Sequence, residues 1–362
     1  MALKLNEAVT VPLSKAIPAY SLRWRSRLYA ILGLIVLLGL VVVLALSIGS
    51  VRIPLSDVWG ILFSQLPLVH ITPAWSPATE TIVIDIRLPR ILLAGVVGAA
   101  LAVAGAAYQG LFRNPLADPY LIGVAQGAAL GAVVGFLLPW ALVGYSLIPV
   151  LAFLGALLAV AAVYVIARIG KTLPVTTLIL AGIAVGAFMA SITSYLTIIS
   201  GDKLHGIISW LLGRLSLGNW EQLAIVTPYV VVGVVVIWLY ARPLNVMQLD
   251  EEQAQQLGIN VERVKLILLA AATLITAAAV SFVGTIGFVG IIVPHAVRLV
   301  WGPDHRSLLP LSTFAGASLL ILADTAARSV LPPTEIPVGV ITAFLGAPFF
   351  LYLLRHKKRS VF

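Results

Sequence analysis

The chain has 362 residues, of which 60% are hydrophobic and only 10% are charged, with a formal net charge of +9. Soluble domains carry about 25% charged residues, so a chain this apolar must have lipid as its main solvent. It contains no cysteine, which excludes disulfides and thiolate metal sites. Its basic residues cluster beside apolar segments, which is typical of loop anchors facing anionic lipid and does not indicate a nucleic-acid partner.

Taken in chain order, long apolar runs alternate with polar, proline-rich or glycine-rich breaks. Apolar runs of about 20 residues can cross a bilayer as helices, so we predict an all-α polytopic membrane protein with about ten transmembrane helices. The predicted helices cover about residues 28–48, 88–108, 121–138, 146–169, 176–199, 223–240, 264–283, 288–301, 308–330 and 338–354. Residues 49–86, which contain several prolines, are predicted to form an external loop, and residues 200–222 an outer segment.

The two ends of the chain define the predicted domain limits and orientation. Residues 1–27 form a predicted cytoplasmic segment, residues 28–355 a single transmembrane domain and residues 356–362 a cytoplasmic tail. Both ends are basic, and an even number of crossings places them on one side, which the positive-inside tendency makes cytoplasmic. The first apolar run begins at Leu28 and is too long for the core of a cleaved signal peptide.

One long hydrophilic stretch, residues 249–265, interrupts the apolar chain, and we call it the elbow. Its Glu, Gln, Ala and Leu residues favour a short helix, on which Ala254 and Leu257 lie one turn apart on one face. Gly258 predicts the end of that helix, and Asn260 predicts the cap of the next one. A capped, charged helical element between two membrane segments indicates a docking site for a soluble partner.

Three arginines violate the positive-inside tendency, because Arg87, Arg90 and Arg328 lie at the predicted outer ends of helices. One interpretation is internal pairing, with Asp85 near Arg87 and Asp324 one helical turn before Arg328. The other is a basic rim that receives carboxylates of an external protein, since arginine binds carboxylates with two parallel hydrogen bonds. Spacing alone does not choose between them.

Small residues recur every four positions in two predicted helices. Such rows allow helix backbones to approach closely in lipid, and they also occur on helices that face a pore or a second subunit. Packing is the simpler interpretation of each row. The rows are Gly127, Gly131 and Gly135, and Gly182, Gly186 and Ala190.

Motifs for enzymatic chemistry are absent from the sequence. There is no His-Glu-x-x-His pair, no Gly-x-Ser-x-Gly turn and no histidine spacing that suits a metal, so we predict neither catalytic residues, nor a metal site, nor a cofactor. Gly170-Lys171-Thr172 is similar to the end of a phosphate-binding loop, but Val165 occupies the position of the first glycine. Energy for any transport is therefore expected to come from another subunit.

Seven stretches between about residues 30 and 355 carry a more specific pattern. They are Ile86–Arg90, Gln109–Pro119, Leu180–Gly182, Gly287–His295, Asp304–Arg306, Leu322–Asp324 and Pro337–Pro348. Together they resemble the FecCD-type permeases, the inner-membrane subunits of ABC importers for iron-siderophores, haem and vitamin B12.

The resemblance implies a type II ABC importer permease fold with about ten helices per subunit and a homodimer around a central pathway. It also implies two cytoplasmic ATPase subunits and a periplasmic or lipid-anchored substrate-binding protein. The expected cargo is an iron chelate, such as a siderophore or haem, with cobalamin as the alternative. A different class, an ion-coupled secondary transporter, would need an ionisable residue at mid-membrane, for which Asp324 is the best candidate.

Residue roles follow from the same resemblance. Arg87, Arg90 and Arg328 resemble arginines that form salt bridges with glutamates of the binding protein, and the elbow resembles the coupling helices that enter a cleft of the ATPase. The coupling residues are Asp250, Glu251, Glu252, Gln253, Ala254, Leu257 and Gly258. The pathway and gate residues are Asn114, Leu116, Thr176, Thr177 and Ser191. The chain departs from the vitamin B12 permease at Pro174-Val175, where that protein has small hydroxyl residues.

Overall fold

The computed structural model describes residues 24–49, 51–66, 72–138 and 147–356, and within these ranges the chain is built from helices and contains no strand. The predicted N-terminal segment and the C-terminal tail lie outside the described residues, apart from residues 24–27 and 356. The all-α architecture expected from the apolar runs is therefore confirmed for the described part of the chain.

Helices α1 to α15 follow one another along the chain. They are α1 Trp24–Ser47, α2 Leu55–Ser64, α3 Pro77–Thr81, α4 Leu88–Leu111, α5 Val124–Leu137, α6 Leu147–Ala167, α7 Val175–Ile198, α8 Leu204–Leu211, α9 Trp220–Leu239, α10 Ala241–Met247, α11 Glu251–Gln256, α12 Val261–Val283, α13 Val289–Trp301, α14 His305–Ala327 and α15 Val338–His356. A π-helical turn, Ile82–Arg87, joins α3 to α4, and a 3-10 turn, Pro119–Ile122, precedes α5.

Among the described residues, seven helical segments are long and apolar enough to cross a membrane, and three shorter apolar helices match the remaining predicted crossings; a fourth, Leu55–Ser64, matches none. The long ones are Arg27–Ser47, Pro77–Leu111, Leu147–Ala167, Val175–Ile198, Trp220–Leu239, Val261–Val283 and His305–Ala327. The shorter ones are Val124–Leu137, Val289–Trp301 and Val338–Tyr352. The prediction of about ten transmembrane helices is confirmed.

The predicted external loop at residues 49–86 is wrong in part, because it contains α2 and α3. Its prolines were interpreted as loop residues, yet Pro54 is the N-cap residue of α2 and Pro77 is the first residue of α3. Proline is well tolerated at these positions, since the first backbone N–H groups of a helix have no partner within it. The predicted outer segment 200–222 likewise contains α8.

The core of the bundle is formed by α4, α12 and α14. In the segment that ends with α4, 83% of the most apolar 18-residue stretch is buried inside the bundle, and in α1 the corresponding share is 17%. α4 contacts α9, α12, α13 and α14, whereas α1 packs mainly on α14, and α7 packs on α5 and α6. The gate candidates on α7 therefore lie on a peripheral helix, and the candidates at the end of α4 lie on a central one.

The rows of small residues mostly serve close helix packing, as the simpler interpretation predicts. A Cβ atom added at Gly131 would lie 2.0 Å from the carbonyl oxygen of Leu151 on α6, and one at Gly182 would lie 2.2 Å from that of Leu121. Ala190, the last member of the row on α7, is exposed. The end of α7 that carries Ala190 is therefore not fully covered by the described part of the chain.

Candidate functional site

The candidate residues lie at two ends of the bundle, which we name by their contents. The elbow face carries residues 249–265 and the turn between α4 and α5, while the arginine face carries Arg87, Arg90 and Arg328. α4 begins next to the arginines and ends next to the elbow, so it runs the full distance between the two faces.

The elbow has the local structure that its sequence predicts. The Asp250 side chain accepts a hydrogen bond from the Glu251 N–H at 2.8 Å at the start of α11, and Gly258 ends this turn with a φ of +83°. Asn260 then caps α12 by accepting a hydrogen bond from the Arg263 N–H at 3.0 Å. The short helix, the glycine stop and the asparagine cap are all confirmed.

Ala254 and Leu257, predicted to lie one turn apart on one face, have different environments in the structure. Ala254 is fully buried but Leu257 is 64% exposed, so they do not share a buried face. The reason is that α11 ends at Gln256, which leaves Leu257 as the C-cap residue in front of the glycine turn. Leu249, on the other side of α11, is exposed as well, so two large apolar side chains flank the polar helix in solvent.

Helix α10, just before the elbow, is an element that the sequence reasoning missed. Ala241, Leu244 and Met247 are its buried residues, and their three-residue spacing was the available signal. α10 packs on α14, and the side-chain carbonyl of Asn245 accepts a hydrogen bond from the His305 N–H at 2.8 Å. The side-chain amide of Asn245 donates to Asp304, which also pairs with Arg27 of α1 at 2.5 Å.

The elbow is bonded to the turn that carries two gate candidates. Arg113 pairs with Asp250 at 3.2 Å, and the Gln248 side chain donates to the Gly110 carbonyl at 2.8 Å. Within the turn, the Asn114 side chain accepts a hydrogen bond from the Leu116 N–H at 2.9 Å. Asn114 and Leu116 are both exposed on the elbow face, within three residues of the ion pair.

The elbow is also bonded to the start of α7, where Thr176 and Thr177 lie. Lys265 on α12 contacts Glu251 at 2.7 Å and Glu262 at 3.1 Å, and it donates to the carbonyl of Leu173 at 3.1 Å. The sequence analysis did not single out Lys265. Its spacing of three from Glu262 indicated one of these contacts, but nothing in the sequence indicated Leu173.

The hydroxyl candidates on α7 differ in how they are used. The Thr177 hydroxyl contacts the carbonyls of Ala167 and Pro174 at 3.1 and 2.9 Å, and the Ser191 hydroxyl donates to the Ala187 carbonyl at 2.9 Å. Thr176 is exposed. Only Thr176 therefore leaves its hydroxyl uncommitted to the backbone.

A pocket of about 380 Å³ lies where α7 faces the 3-10 turn before α5. Asp118, Tyr120 and Gln126 supply its polar lining and Gly182 and Gly186 part of its wall. Burial raises the pKa of Asp118 to about 6, against the lowering effect of the hydrogen bond it accepts from the Tyr120 N–H. This pocket joins the turn that carries Asn114 to the middle of α7.

The three arginines of the arginine face are buried and bonded within the chain. Arg90 pairs with Asp324 at 2.7 Å and with Glu335 at 2.9 Å. Arg328 lies 3.7 Å from Asp324, one helical turn away, so this predicted internal pair is confirmed. Glu335 was not predicted as a partner.

The predicted pairing of Asp85 with Arg87 is wrong. Asp85 is exposed, and Arg87 instead donates to the carbonyls of Leu46, Ser47 and Val51. Arg328 similarly donates to the Ala45 carbonyl at 2.5 Å. The last carbonyls of a helix have no partner within it, so the end of α1 offers acceptors that outcompete a solvated carboxylate.

The arginines nevertheless converge on one opening. A pocket of about 170 Å³ is lined by Arg87, Arg90, Arg328 and Glu335, together with residues of the loop after α1 and of the turn before α4. Three guanidinium groups face two carboxylates here, those of Asp324 and Glu335, which leaves one net positive charge. The opening is a basic pocket at the end of the bundle opposite the elbow.

A bundle of about ten membrane-crossing helices, with a bonded polar element exposed at one end and a basic pocket at the other, defines a polytopic helical protein of the membrane-transport class. The sequence model of the FecCD transport family matches residues 35–356, and the chain belongs to this family. It is a permease subunit of an ABC importer, as the resemblance predicted.

Curated relatives and solved structures agree with this assignment. The chain is 49% identical over 302 residues to the cobalamin import system permease protein BtuC of Halobacterium salinarum, with 83% of this chain and 81% of that protein covered. It is 42% identical over 295 residues to the hemin transport system permease protein HmuU of Yersinia pestis, with 79% and 88% covered. A solved ABC transporter assigned to the metal-chelate type, in an inward-facing conformation, superposes with a TM-score of 0.78 at 32% identity, with 90% of this chain and 98% of that chain covered.

Proposed function

We propose that the chain forms a homodimer in the inner (plasma) membrane and passes a bulky metal chelate to the cytoplasm, driven by two ATPase subunits that bind the elbow face. The cargo we propose first is an iron chelate, a siderophore or haem. Relatives named as hemin and iron-citrate permeases support this choice; cobalamin is the second candidate, supported by the 49% identity to a cobalamin permease. The chain itself has no catalytic role in this scheme.

The observation that carries the proposal is the elbow. Its helix is capped and bonded to the bundle, yet it presents Glu252, Gln253, Leu249 and Leu257 to solvent. Exposed apolar side chains at the two ends of a polar helix fit the apolar anchors by which a helix enters a groove in a partner protein. The Asp250 cap of this helix contacts the turn that carries Asn114 through Arg113, and Glu251, its first residue, is linked to the start of α7 through Lys265. A displacement of the elbow by an ATPase would therefore be delivered to both gate segments.

The homodimer is supported by the exposed faces of α7 and α15. Phe188 and Tyr195 on α7 and Phe344 on α15 are largely exposed. The exposed face of α7 also carries the hydroxyl residues Thr176 and Ser191, which suit a water-filled pathway or a second subunit better than lipid. We therefore place the pathway along α7 and a second copy of the chain across it.

Docking of a binding protein on the arginine face is supported by the basic pocket. The side chain of Glu335 is 41% exposed, so a carboxylate of an incoming protein can displace it from Arg90. The net positive charge of the pocket favours such a carboxylate. Arg87 and Arg328 would attract the incoming carboxylate through the positive electrostatic potential of the pocket, while they keep their hydrogen bonds to α1.

The orientation follows from the same assignments, with the elbow, the N-terminus and the C-terminus in the cytoplasm. The connections on the elbow face carry exposed basic residues, among them Arg113, Lys171, Arg242 and Arg306, in agreement with the positive-inside tendency. The three arginines on the opposite face are buried. They therefore do not act as free loop charges.

The ion-coupled alternative receives little support from Asp324. This carboxylate is 1% exposed and is held by both Arg90 and Arg328. Proton- or ion-binding carboxylates of secondary transporters must exchange with an aqueous pathway. Asp324 is engaged in a structural ion cluster instead.

The proposal is tested by reconstituting the permease with its ATPase and binding protein in liposomes. We expect uptake of ferric siderophore, haem or cobalamin that requires ATP and persists in the presence of a protonophore. Uptake that needs an ion gradient and ignores ATP would overturn the proposal. Competition among the three chelates at equal concentration identifies which one is carried.

A further inference from the structure

Lys265 is the one buried lysine among the described residues, with 2% of the residue exposed. It lies in the second turn of α12, and its Nζ meets groups from three different parts of the chain. Burying an ammonium group costs free energy unless hydrogen bonds and opposite charge compensate it. The three partners of Lys265 supply that compensation.

The first side of this cluster holds the segment that leads into α7. The Lys265 Nζ donates to the Leu173 carbonyl at 3.1 Å, and the Leu173 N–H donates to Glu262 at 2.8 Å. Glu262 also pairs with Lys265 at 3.1 Å. Both backbone groups of Leu173 are therefore bound by one lysine–glutamate pair on α12.

Holding Leu173 fixes the start of α7. Pro174 follows at once, α7 begins at Val175, and Leu173 itself is buried. Proline restricts its own φ and the conformation of the residue before it, so the backbones of Leu173 and Pro174 have little freedom. A movement of Leu173 must carry the first turn of α7, with Thr176, along with it.

The second side of the cluster holds the elbow helix. Glu251, the first residue of α11, contacts the Lys265 Nζ at 2.7 Å. The elbow and the start of α7 thus meet at one nitrogen atom, although Leu173 and Glu251 lie far apart in the sequence. We call Lys265, Glu251, Glu262 and the backbone of Leu173 the lysine clasp.

We propose that Lys265 is a positioning residue for transport, and that the lysine clasp transmits displacement of the elbow to the start of α7. The inference rests on the proposed function, since it assigns a path to the movement that an ATPase would impose. Separating either side of the clasp would leave a buried charge uncompensated, which keeps the two segments together as they move.

The other link from the elbow, Arg113 with Asp250, provides a matched comparison. Its side chains are 42% and 50% exposed, so solvent screens the pair and replaces its contacts when it separates. The same kind of charge pairing is therefore present twice on the elbow face, once buried and once exposed. The buried pair is expected to transmit displacement more fully than the exposed pair.

The experiment uses the permease reconstituted with its ATPase and binding protein, and measures cargo transported per ATP hydrolysed. We expect Lys265→Met and Glu251→Gln to lower this ratio about 3- to 30-fold, with ATP hydrolysis largely kept. Lys265→Arg should restore part of the ratio, and Arg113→Gln should lower it less than either clasp variant. Two outcomes would overturn the proposed role of the lysine clasp. One is a parallel fall of uptake and hydrolysis in the clasp variants, and the other is an equal loss of the transport-to-hydrolysis ratio in Arg113→Gln.

A second readout uses the permease alone and does not depend on transport. The sequence has no cysteine, so cysteines introduced at the exposed positions Lys171 and Gln256 would be the sole sites of spin labelling. We expect the distance distribution between these labels to broaden in Lys265→Met and Glu251→Gln but not in Arg113→Gln. An unchanged distribution in both clasp variants would overturn the inference, whereas absence of ATP-driven uptake by the native assembly would overturn the proposed function.

Discussion

Arg90 holds Asp324 along the edge of its guanidinium group. Arg90 Nε lies 3.1 and 3.0 Å from the two carboxylate oxygens, and Nη2 lies 2.7 Å from one of them. This contact joins the beginning of α4 to the end of α14, two of the three core helices. Arg328 shares the same carboxylate, so one anion compensates two buried cations.

Removing that anion should destabilise the fold. Asp324→Asn keeps the shape of the side chain but leaves Arg90 and Arg328 without their shared charge, and breaking a buried ion pair costs about 3–5 kcal/mol. We expect a clear fall of the thermal unfolding temperature in detergent. Asp85→Asn, at an exposed carboxylate, is the control and should have no effect; an unfolding temperature equal to that of the native chain in Asp324→Asn would contradict the structural role.

The basic pocket predicts the effect of Glu335 on docking. Glu335→Gln removes the exposed carboxylate that competes for Arg90, so the pocket gains one positive charge. We expect tighter and faster association with the binding protein, most evident at low salt because exposed charges are screened at high salt. Weaker association in a surface-binding assay would argue against docking through this pocket. The triple change of Arg87, Arg90 and Arg328 to Glu is less informative, since it would also remove contacts that hold α1.

Asp118 predicts a pH-dependent stability. Because burial raises the pKa of Asp118 to about 6 in the folded chain, above the usual value of 3.8, the folded state binds the proton more tightly than the unfolded state. The contribution of Asp118 to stability is therefore present at pH values below the usual pKa and is lost as the pH rises through about 6. At pH 7.5 the charged carboxylate costs at most about 3 kcal/mol.

Asp118→Asn tests this directly, since asparagine can still accept the hydrogen bond from the Tyr120 N–H. We expect the variant to unfold at a higher temperature than the native chain at pH 7.5, and this gain to shrink as the pH falls from about 6 toward 4. Asp202→Asn, which removes an exposed carboxylate, is the control. A gain that is the same at pH 7.5 and pH 4.5 would rule out titration of Asp118 as its cause.

Gly131 and Gly33 form a matched pair for the packing of small residues. A Cβ at Gly131 would lie 2.0 Å from a backbone oxygen of α6, while one at Gly33 on α1 would meet no atom within 4 Å. Gly131→Ala should cost about 1–3 kcal/mol through overpacking, whereas Gly33→Ala should be neutral or stabilise by up to about 1 kcal/mol through helix propensity. The measurement compares the thermal unfolding temperatures of the two variants. Equal changes in both would mean that the contact between α5 and α6 is not tight.

Leu257 predicts the contribution of the elbow surface to ATPase binding. It is 64% exposed and makes no core contact, so Leu257→Glu should leave the unfolding temperature unchanged. Losing the burial of one leucine at an interface costs about 1.5–3 kcal/mol, which corresponds to a weakening of about 10-fold or more. Leu257→Met is the conservative control. Co-purification of the ATPase at native levels with the glutamate variant would place the docking surface elsewhere.

Much of the architecture could be predicted because the lipid environment simplifies the sequence signal. Apolar runs gave the positions of the membrane-crossing helices, and the local signals of Gly258 and Asn260 predicted where α11 ends and α12 begins. These are interactions within a few residues of one another. The helices α2 and α3 were missed because their starting prolines were interpreted as loop residues.

The contacts of the candidate site were much less predictable. Asp324 and Arg328 could be paired from their spacing on one helix, but Arg90 and Glu335 reach the same cluster from other parts of the chain. Arg87 bonds to backbone carbonyls at the end of α1, and a backbone acceptor has no signature in the side-chain pattern. The link from Lys265 to Leu173 has the same character. The roles of the arginines, of the elbow and of Asn114, Leu116, Thr176, Thr177 and Ser191 stay predictions that the experiments above address.

Helix α1 is attached at both ends by residues made near the opposite end of the chain. Arg27 at its beginning pairs with Asp304, and the Ala45 carbonyl near its end accepts a hydrogen bond from Arg328. During synthesis α1 is therefore retained in the bilayer by its own hydrophobicity, and it gains these two contacts after α14 has been inserted beside it. A chain truncated before α14 would lose both of these contacts, while the end of α1 would keep the hydrogen bonds from Arg87 to the Leu46 and Ser47 carbonyls.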